Sequence, residues 1–193
     1  MKGVIQIGAH YAEEYEGWLS EGATNFIFFE PVLANYNKMV QILPKSEHIK
    51  TYRMALGNET SWRRMYCETV HKGKSCSLLK PLRHLEQYPD IVFDQTEEVE
   101  VRRLDDINYN KTLYDHLHID VQGYELEVLK GAVESLKHFT TVETEVHRAE
   151  LFEGCSMYQD VCNFLFAQDF NLDSIYWRGN TWGDAKFRKL PKV

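Results

Sequence analysis

The chain has 193 residues and a net charge of −7, and 44% of its residues are hydrophobic and 13% aromatic. This length and composition predict one globular domain, 1–193, with a full hydrophobic core, and they exclude a disordered chain. The acidic balance argues against a general nucleic-acid-binding or anionic-membrane surface.

The four cysteines, the apolar runs and the N-terminus all favour a cytoplasmic protein. No pair of cysteines has the C-x-x-C spacing, so a zinc site and a disulfide scaffold are not expected. The sequence has neither an apolar run of about 18 residues nor a signal peptide, so we expect no membrane span. The first apolar run follows Met1 almost directly, and we expect no segment before the fold.

Apolar runs and turn residues divide the chain into alternating strands and helices. In chain order the first predicted elements are a strand at 3–8, a helix at 11–21, a strand at 25–30, a helix at 31–43, a strand at 48–55 and an additional strand at 61–67. A long loop or lid at 69–95 and strands at 98–104 and 116–121 follow, and then an amphipathic helix after Gly123 with Leu126, Leu129, Val133 and Leu136 on one face. The last predicted elements are a strand at 139–146, a helix at 157–168, and strands at 170–177 and 183–190. This order predicts a doubly wound, Rossmann-like α/β sheet that binds ligands at the carboxyl ends of its strands.

The ends of the first two strands predict one half of a nucleotide site. The first strand breaks at Gly8, and the second ends on Glu30. A glycine lets a ligand approach the backbone, and an acid at the end of the next strand can accept hydrogen bonds from ribose hydroxyls. The alternative is an ordinary turn at Gly8 and an ordinary exposed acid at Glu30.

The residues after Gly8 favour S-adenosylmethionine (SAM) over NAD. A dinucleotide needs glycines at three spaced positions for its pyrophosphate, and here His10 and Glu13 occupy the second and third. The Glu13 carboxylate would repel a phosphate. SAM has no phosphate, and its positive sulfonium tolerates neighbouring carboxylates.

Several sequence blocks together resemble one known family, the FkbM family of SAM-dependent methyltransferases. These blocks are Ile7-Gly8-Ala9-His10, Phe29-Glu30-Pro31, Ala55-Leu56-Gly57, Ser75-Cys76-Ser77-Leu78, Leu104-Asp105-Asp106, Gly183-Asp184-Ala185 and, most specifically, 119–132. The resemblance covers nearly the whole chain. It implies a seven-stranded, mostly parallel class I methyltransferase sheet with a C-terminal antiparallel hairpin, and O-methylation of a hydroxyl, often on a sugar or a polyketide-type product.

The resemblance and the strand ends together give a set of candidate SAM-binding residues. They are Gln6, Gly8, Ala9, His10, Glu30, Pro31, Ala55, Leu56, Ser77 and Asp120. Family members often carry Asp at position 6, Asn at position 10 and Gly at position 12. Gln6 can still hydrogen-bond the amino-acid part of SAM, and we expect Ala12 to lie in a helix, where a glycine's freedom is not needed. Loop 69–95 is expected to cover the cofactor.

The candidate catalytic residues are Asp120, Glu145 and His147. Asp120 ends a central strand, where it could hold the methionine ammonium or the acceptor hydroxyl; the alternative is a carboxylate that caps the following helix. Glu143, Glu145 and His147 alternate along the next strand and therefore share a face. His147 is the expected general base because its unperturbed pKa lies near neutrality.

Two alternatives stay open for this strand end, although no metal site is predicted. Asp120, Glu145 and His147 could ligate a divalent cation, because carboxylates and imidazole are competent ligands. The polar strand end could also be bonded simply to neighbouring loops. Glu125 and Glu127 are expected to be acids on a helix surface. His116 and His118 are expected to be packing residues.

The sequence therefore predicts a SAM-dependent O-methyltransferase that acts on a small-molecule or glycan acceptor and has no nucleic-acid or membrane partner. A second hypothesis is a binding protein that kept the fold and lost catalysis, as the substitutions at Gln6 and Ala12 suggest. A third is an NAD-dependent oxidoreductase, which the missing glycines disfavour.

Overall fold

The computed structural model describes residues 1–191, so the last two positions of the predicted domain, 192–193, lie outside the described residues. The strands are β1 (Gly3–Ile7), β2 (Asn25–Phe29), β3 (Ile49–Tyr52), β4 (Ala55–Leu56), β5 (Ser61–Cys67), β6 (Gln95–Arg102), β7 (His116–Ile119), β8 (Thr141–His147), β9 (Phe170–Arg178) and β10 (Trp182–Lys189). The helices are α1 (Tyr15–Ser20), α2 (Leu33–Ile42), α3 (His84–Gln87), α4 (Glu125–Lys130) and α5 (Tyr158–Ala167).

Seven strands form the main sheet in the order β3-β2-β1-β7-β8-β10-β9. The first five are parallel, and β10 pairs antiparallel with both β8 and β9. The predicted doubly wound α/β sheet with its C-terminal hairpin is therefore confirmed. The chain order reverses between β1 and β7, and such a switch point opens a crevice at the carboxyl ends of the strands.

Strand β1 is buried along its whole length because helices cover both faces of the sheet. Val4 points into a core cluster with Trp18 and Met39. Ile5 belongs to the opposite cluster, which includes Leu129. This two-sided burial explains why the strand is a continuous apolar run interrupted only by Gln6.

A second, three-stranded sheet of order β4-β6-β5 packs beside the main one. The predicted additional strand at 61–67 forms its edge. Part of the predicted loop 69–95 is also ordered: Tyr66 pairs with Ser77 in an antiparallel bridge, and α3 forms a helical turn within it.

Helix α1 starts at Tyr15, later than the predicted residue 11. His10 and Ala12 have positive φ angles of 48° and 57°, so the backbone turns before the helix begins. The expectation that Ala12 lies in a helix is wrong. A residue with a side chain in this left-handed conformation costs roughly 1–2 kcal/mol, which a glycine would avoid.

The buried face of helix α2 carries a polar residue as well as an apolar one. Asn35 and Met39 are buried, whereas Leu33 and Val40 are exposed. Among the described residues, no helix is both long enough and apolar enough to cross a membrane.

Helix α4 is shorter than the predicted amphipathic helix, and a separate 3₁₀ turn follows at Ser135–Lys137. Gly131 ends α4 against the small sheet. A Cβ atom placed on Gly131 would lie only 1.8 Å from the carbonyl oxygen of Gly57. The close contact between these two backbones therefore requires a glycine at position 131.

We predict that Gly131→Ala destabilises the protein by about 1–3 kcal/mol or more, because the new methyl group must displace backbone atoms. Gly17→Ala is the matched control, since a Cβ there meets nothing within 4 Å and the position is inside α1. Alanine at position 17 should stabilise the helix by up to about 1 kcal/mol. Urea unfolding of both variants measures the difference, and an equal effect at the two positions would contradict this packing argument.

Candidate active site

A cavity, here called the main cavity, opens at the carboxyl ends of β1, β2 and β7. It encloses about 890 Å³ of non-atom space, part of it open to solvent. Of the predicted cofactor-binding residues, its walls contain Gln6, Gly8, Ala9, His10, Glu30, Pro31, Ala55, Leu56 and Asp120.

Gly8 lets the ends of β1 and β7 approach each other. Its φ angle is +78°, and a Cβ on it would lie 1.8 Å from the carbonyl oxygen of Asp120. The backbone N–H groups of Gly8 and Ala9 both donate to the carbonyl of Phe29, at 3.0 and 2.9 Å. A glycine is therefore required here to join three strand ends, and this packing also keeps the floor of the main cavity free of a side chain.

Glu30 is buried in the wall of the main cavity and is 4% exposed. One carboxylate oxygen accepts the backbone N–H of His10 at 2.8 Å, and the other accepts that of Val32 at 2.9 Å. Burial raises the pKa of Glu30 to about 7 against the opposing effect of these bonds. The alternative of an ordinary exposed acid at this position is wrong.

Gln6 faces the main cavity from the middle of the sheet. Its side-chain N–H donates to Glu14 at 2.8 Å, and its carbonyl oxygen is buried without a partner among residues 1–191. A buried acceptor of this kind is normally satisfied, so it is well suited to a ligand's donor. Sequence reasoning missed Glu14, because it placed this residue inside the predicted helix 11–21, whereas it precedes α1 and faces the cavity.

Ser77 is the one predicted cofactor-binding residue that does not line the main cavity. The side chain is fully buried, and its hydroxyl donates to the carbonyl of Gln122 at 2.8 Å and accepts the N–H of Leu79 at 3.0 Å. Its chain neighbours Cys76 and Leu78 line the cavity instead. Ser77 therefore joins the 69–95 segment to the turn after β7.

A second cavity, here called the side cavity, lies next to the main one and encloses about 1210 Å³, including open solvent. The two cavities share walls formed by Glu14, Lys74, Asp120 and Gln122. The remaining walls are rich in acids, histidines and aromatic rings and include His71, His84, Tyr88, His118, Glu143, Glu145, Arg178, Trp182 and Asp184.

Asp120 lies where the two cavities meet. Gln122 donates its side-chain N–H to Asp120 at 2.8 Å and to Glu145 at 3.2 Å. Burial, together with the neighbouring Glu145 charge, raises the pKa of Asp120 to about 8. Helix α4 makes no cap bond with Asp120, and the Gly123 N–H is accepted by Glu125 instead at 2.9 Å, so the capping alternative is wrong.

The three polar residues predicted to share one face of β8 do not all reach a cavity. Glu143 and Glu145 line the side cavity, whereas His147 is fully buried and lines neither cavity. The Nε2 atom of His147 lies 3.1 Å from Glu145 and 3.8 Å from Glu125. Burial, reinforced by Asp184, raises the pKa of Glu145 to about 8.

Glu125 is fully buried, so the prediction of a surface acid there is wrong. Its Oε1 atom accepts the backbone N–H groups of Val121 and Gly123, and burial raises its pKa to about 7. Glu127, two residues later, is a partly exposed acid paired with Lys130 at 2.7 Å.

His116 and His118 both lie on β7 near Trp18 and differ in their access to the cavities. His116 is buried, and burial lowers its pKa to about 3. His118 packs edge-on against Trp18, with ring centroids 5.2 Å apart, and it also reaches the side cavity.

Comparison with solved structures shows how common this fold is among methyltransferases. A putative S-adenosylmethionine-dependent methyltransferase from Listeria monocytogenes aligns with a TM-score of 0.58 at 8% identity, covering 98% of this chain and 92% of the other. Magnesium protoporphyrin IX methyltransferase from Synechocystis PCC 6803, solved with bound SAM, aligns with a TM-score of 0.54 at 8% identity, covering 97% and 69%. At these identities the similarity shows the shared fold.

Among curated proteins, the 2-O-methyltransferase NoeI of Sinorhizobium fredii is 39% identical over 116 residues. The match covers 59% of this chain and 46% of the relative, so it spans about half of that protein's length. The model of the methyltransferase FkbM domain matches residues 6–172 and contains both the glycine turn after β1 and the whole 119–132 block. The chain therefore belongs to the FkbM methyltransferase family, whose cofactor is SAM, as the sequence predicted.

Proposed function

We propose that this protein transfers a methyl group from SAM, bound in the main cavity, to a hydroxyl of a small-molecule or glycan acceptor in the side cavity. The observation that carries this proposal is the shared wall at Asp120 and Gln122. Methyl transfer is a direct displacement, so it requires two ligands to meet in line at one point. The hydroxyl class is supported by the curated relative, whose name describes it as a 2-O-methyltransferase.

The residues of the main cavity fit the chemistry of SAM. The unpartnered oxygen of Gln6 and the carboxylate of Glu14 can accept hydrogen bonds from the methionine ammonium. Glu30 accepts the ribose hydroxyls through its remaining lone pairs, because each of its oxygens uses only one for a backbone N–H. Leu56, Met65 and Tyr124 provide an apolar wall for the base. When bound, SAM supplies the electrophilic methyl group.

The side cavity suits a polyhydroxylated acceptor. Trp182 donates its indole N–H to the Tyr88 hydroxyl at 2.9 Å, which places two aromatic side chains together in one wall. Glu143 and Glu145 lie in the same cavity and can accept hydrogen bonds from hydroxyl groups. Apolar ring faces combined with oriented carboxylates match the mixed apolar and polar surface of a sugar.

We assign proton removal to Asp120. It lies beside both cavities, and a base whose pKa is close to the working pH is the most effective. His147 was the predicted base, but it lines neither cavity. We therefore assign His147 the role of positioning Glu145, which it contacts at 3.1 Å and which faces the acceptor.

We assign the covering of the cofactor to residues 69–75, the first part of the predicted lid, because Ser77 is fixed to Tyr66 and Gln122. The imidazole Nε2 of His10 contacts the carbonyl of Lys72 at 2.9 Å, and Lys74 pairs with Glu13 at 3.2 Å. These contacts are near the surface and few in number, so this part can open. The later part is docked on the main body, because Leu82 and His84 donate backbone N–H groups to Leu151.

We predict that Glu30→Ala weakens binding of S-adenosylhomocysteine, the demethylated product, on the order of 10–100-fold. Loss of charge-assisted hydrogen bonds, each contributing roughly 1.5–3 kcal/mol, is the physical reason. Calorimetric titration measures the affinity, and Glu47→Ala, which removes an exposed acid, is the control. A melting temperature raised by NAD but not by S-adenosylhomocysteine would favour the oxidoreductase hypothesis.

We predict that trypsin cuts after Lys72 and Lys74 more slowly when S-adenosylhomocysteine is bound. The ligand lies against Gly73 and Lys74 in the main cavity and holds the covering segment closed. Mass spectrometry of timed digests identifies the sites, and cleavage after the exposed Lys38 of α2 provides the internal reference. Equal rates with and without ligand would exclude a covering role.

We predict that Asp120→Asn lowers methyl transfer on the order of 10²–10⁴-fold, the usual contribution of a general base. In the wild type the rate should rise with pH towards about 8, because the carboxylate must be ionised to accept a proton. The variant should lose this rise, whereas the exposed Asp160→Asn should keep both rate and profile.

His147→Ala distinguishes the positioning role from the base role. It should lower the rate and keep the pH-dependent rise, since Asp120 remains. If the methyl-transfer rate of His147→Ala no longer rises with pH, the general base is His147 and not Asp120. Binding of S-adenosylhomocysteine without any transfer to a panel of sugar acceptors would favour the hypothesis of a binding protein.

A further inference from the structure

We propose that Glu125, Glu145 and His147, here called the buried triad, form a binding site for one divalent transition-metal ion of the Zn²⁺ or Mn²⁺ type. Each residue offers one ligand atom, and these atoms lie within 4.8 Å of one another. Glu145 lines the side cavity, whereas Glu125 and His147 line neither cavity. Glu145 and His147 lie at the end of β8, and Glu125 is the first residue of α4, so one ion would link these two elements.

Unpartnered polar atoms point to a ligand in the triad. The Nε2 atom of His147 lies 3.1 Å from Glu145 Oε1 and 3.8 Å from Glu125 Oε2. Within residues 1–191, neither His147 Nε2 nor Glu125 Oε2 has a hydrogen-bond partner, although both side chains are fully buried. Buried polar atoms are nearly always satisfied, and a cation bonded to all three atoms would satisfy these two.

The other oxygen of each carboxylate is already held by the protein. Glu125 Oε1 accepts two backbone N–H groups, at 3.2 Å and 2.9 Å. Glu145 Oε2 accepts the side-chain N–H of Gln122 at 3.2 Å. Hydrogen bonds of this kind orient metal ligands in proteins, and here they leave one oxygen of each acid facing the histidine.

The charges of the triad match a divalent ion. When both buried carboxylates are ionised they carry two negative charges, and a protonated His147 would balance only one of them. Arg178, a cation in the wall of the side cavity, is bonded to Asp184 at 3.0 Å. A divalent ion with a neutral imidazole balances both acids, as expected for buried charges that coordinate a metal.

The three ligand atoms indicate which type of ion would bind. They also differ from the possible cation ligands named from the sequence, which were Asp120, Glu145 and His147. One imidazole nitrogen with two carboxylate oxygens suits Zn²⁺ or Mn²⁺, whereas Mg²⁺ and Ca²⁺ prefer oxygen alone. Glu125 takes the place of Asp120, whose carboxylate is bonded to Gln122 instead. The ion would fix Glu145 in the wall that faces the acceptor.

The test uses the full chain, stripped with EDTA and titrated with ZnCl₂ and MnCl₂ by calorimetry, with metal content measured by mass spectrometry. We expect one equivalent of metal per chain. His147→Gln and Glu125→Gln should each weaken binding at least about 10–100-fold, the range seen when even outer-shell partners are lost. Glu127→Gln, a partly exposed acid on the same helix, should bind as the wild type does.

Circular dichroism and S-adenosylhomocysteine binding show whether each variant is folded, and Gln at position 125 keeps an oxygen for the two backbone donors. The proposal is overturned if the wild type binds no stoichiometric ion, or if folded His147→Gln and Glu125→Gln both bind as well as the wild type. Loss of metal in Asp120→Asn with retention in Glu125→Gln would also overturn it. Because cofactor binding is measured on the same samples, failure of the metal site is distinguishable from failure of the methyltransferase assignment.

Discussion

The contact between the backbones of Gly8 and Asp120 is the constraint on which the rest of the site depends. It brings the end of β1 against the end of β7 at the point where strand order reverses. Any side chain at position 8 would collide with the Asp120 carbonyl and separate the two strands. Asp120, at this junction, lines both the main cavity and the side cavity.

Burial of several acids in one region gives the site its electrostatic character. Asp120 and Glu145 face each other across Gln122, and the desolvation of each raises its pKa. A region of desolvated carboxylates favours a positively charged ligand over a phosphate. The same property disfavours the pyrophosphate of NAD and suits a sulfonium and the proposed metal ion.

The start of the fold could be predicted from local patterns because β1 and β2 are buried almost throughout and appear as apolar runs. The candidate cofactor-binding residues at strand ends followed from the same pattern, since strand ends of a parallel sheet meet at one edge. A left-handed backbone conformation at a residue other than glycine has no clear signal in the sequence. Ala12 is a good helix former, yet its φ angle is 57°. Ser77 shows a second limit, because its hydroxyl is used by a carbonyl 45 residues away in sequence.

Glu125 shows most clearly why the chemistry of the site could not be predicted from spacing alone. An acid at the start of a helix is usually exposed, and the helix N-terminus favours it there for electrostatic reasons. In this fold the turn at Gln122 and Gly123, both with positive φ, bends the chain so that Glu125 points inward and accepts two N–H groups of that turn. The turn that aims Gln122 at Asp120 and Glu145 is thus stabilised by the carboxylate that faces His147, which couples the shared wall of the two cavities to the buried triad.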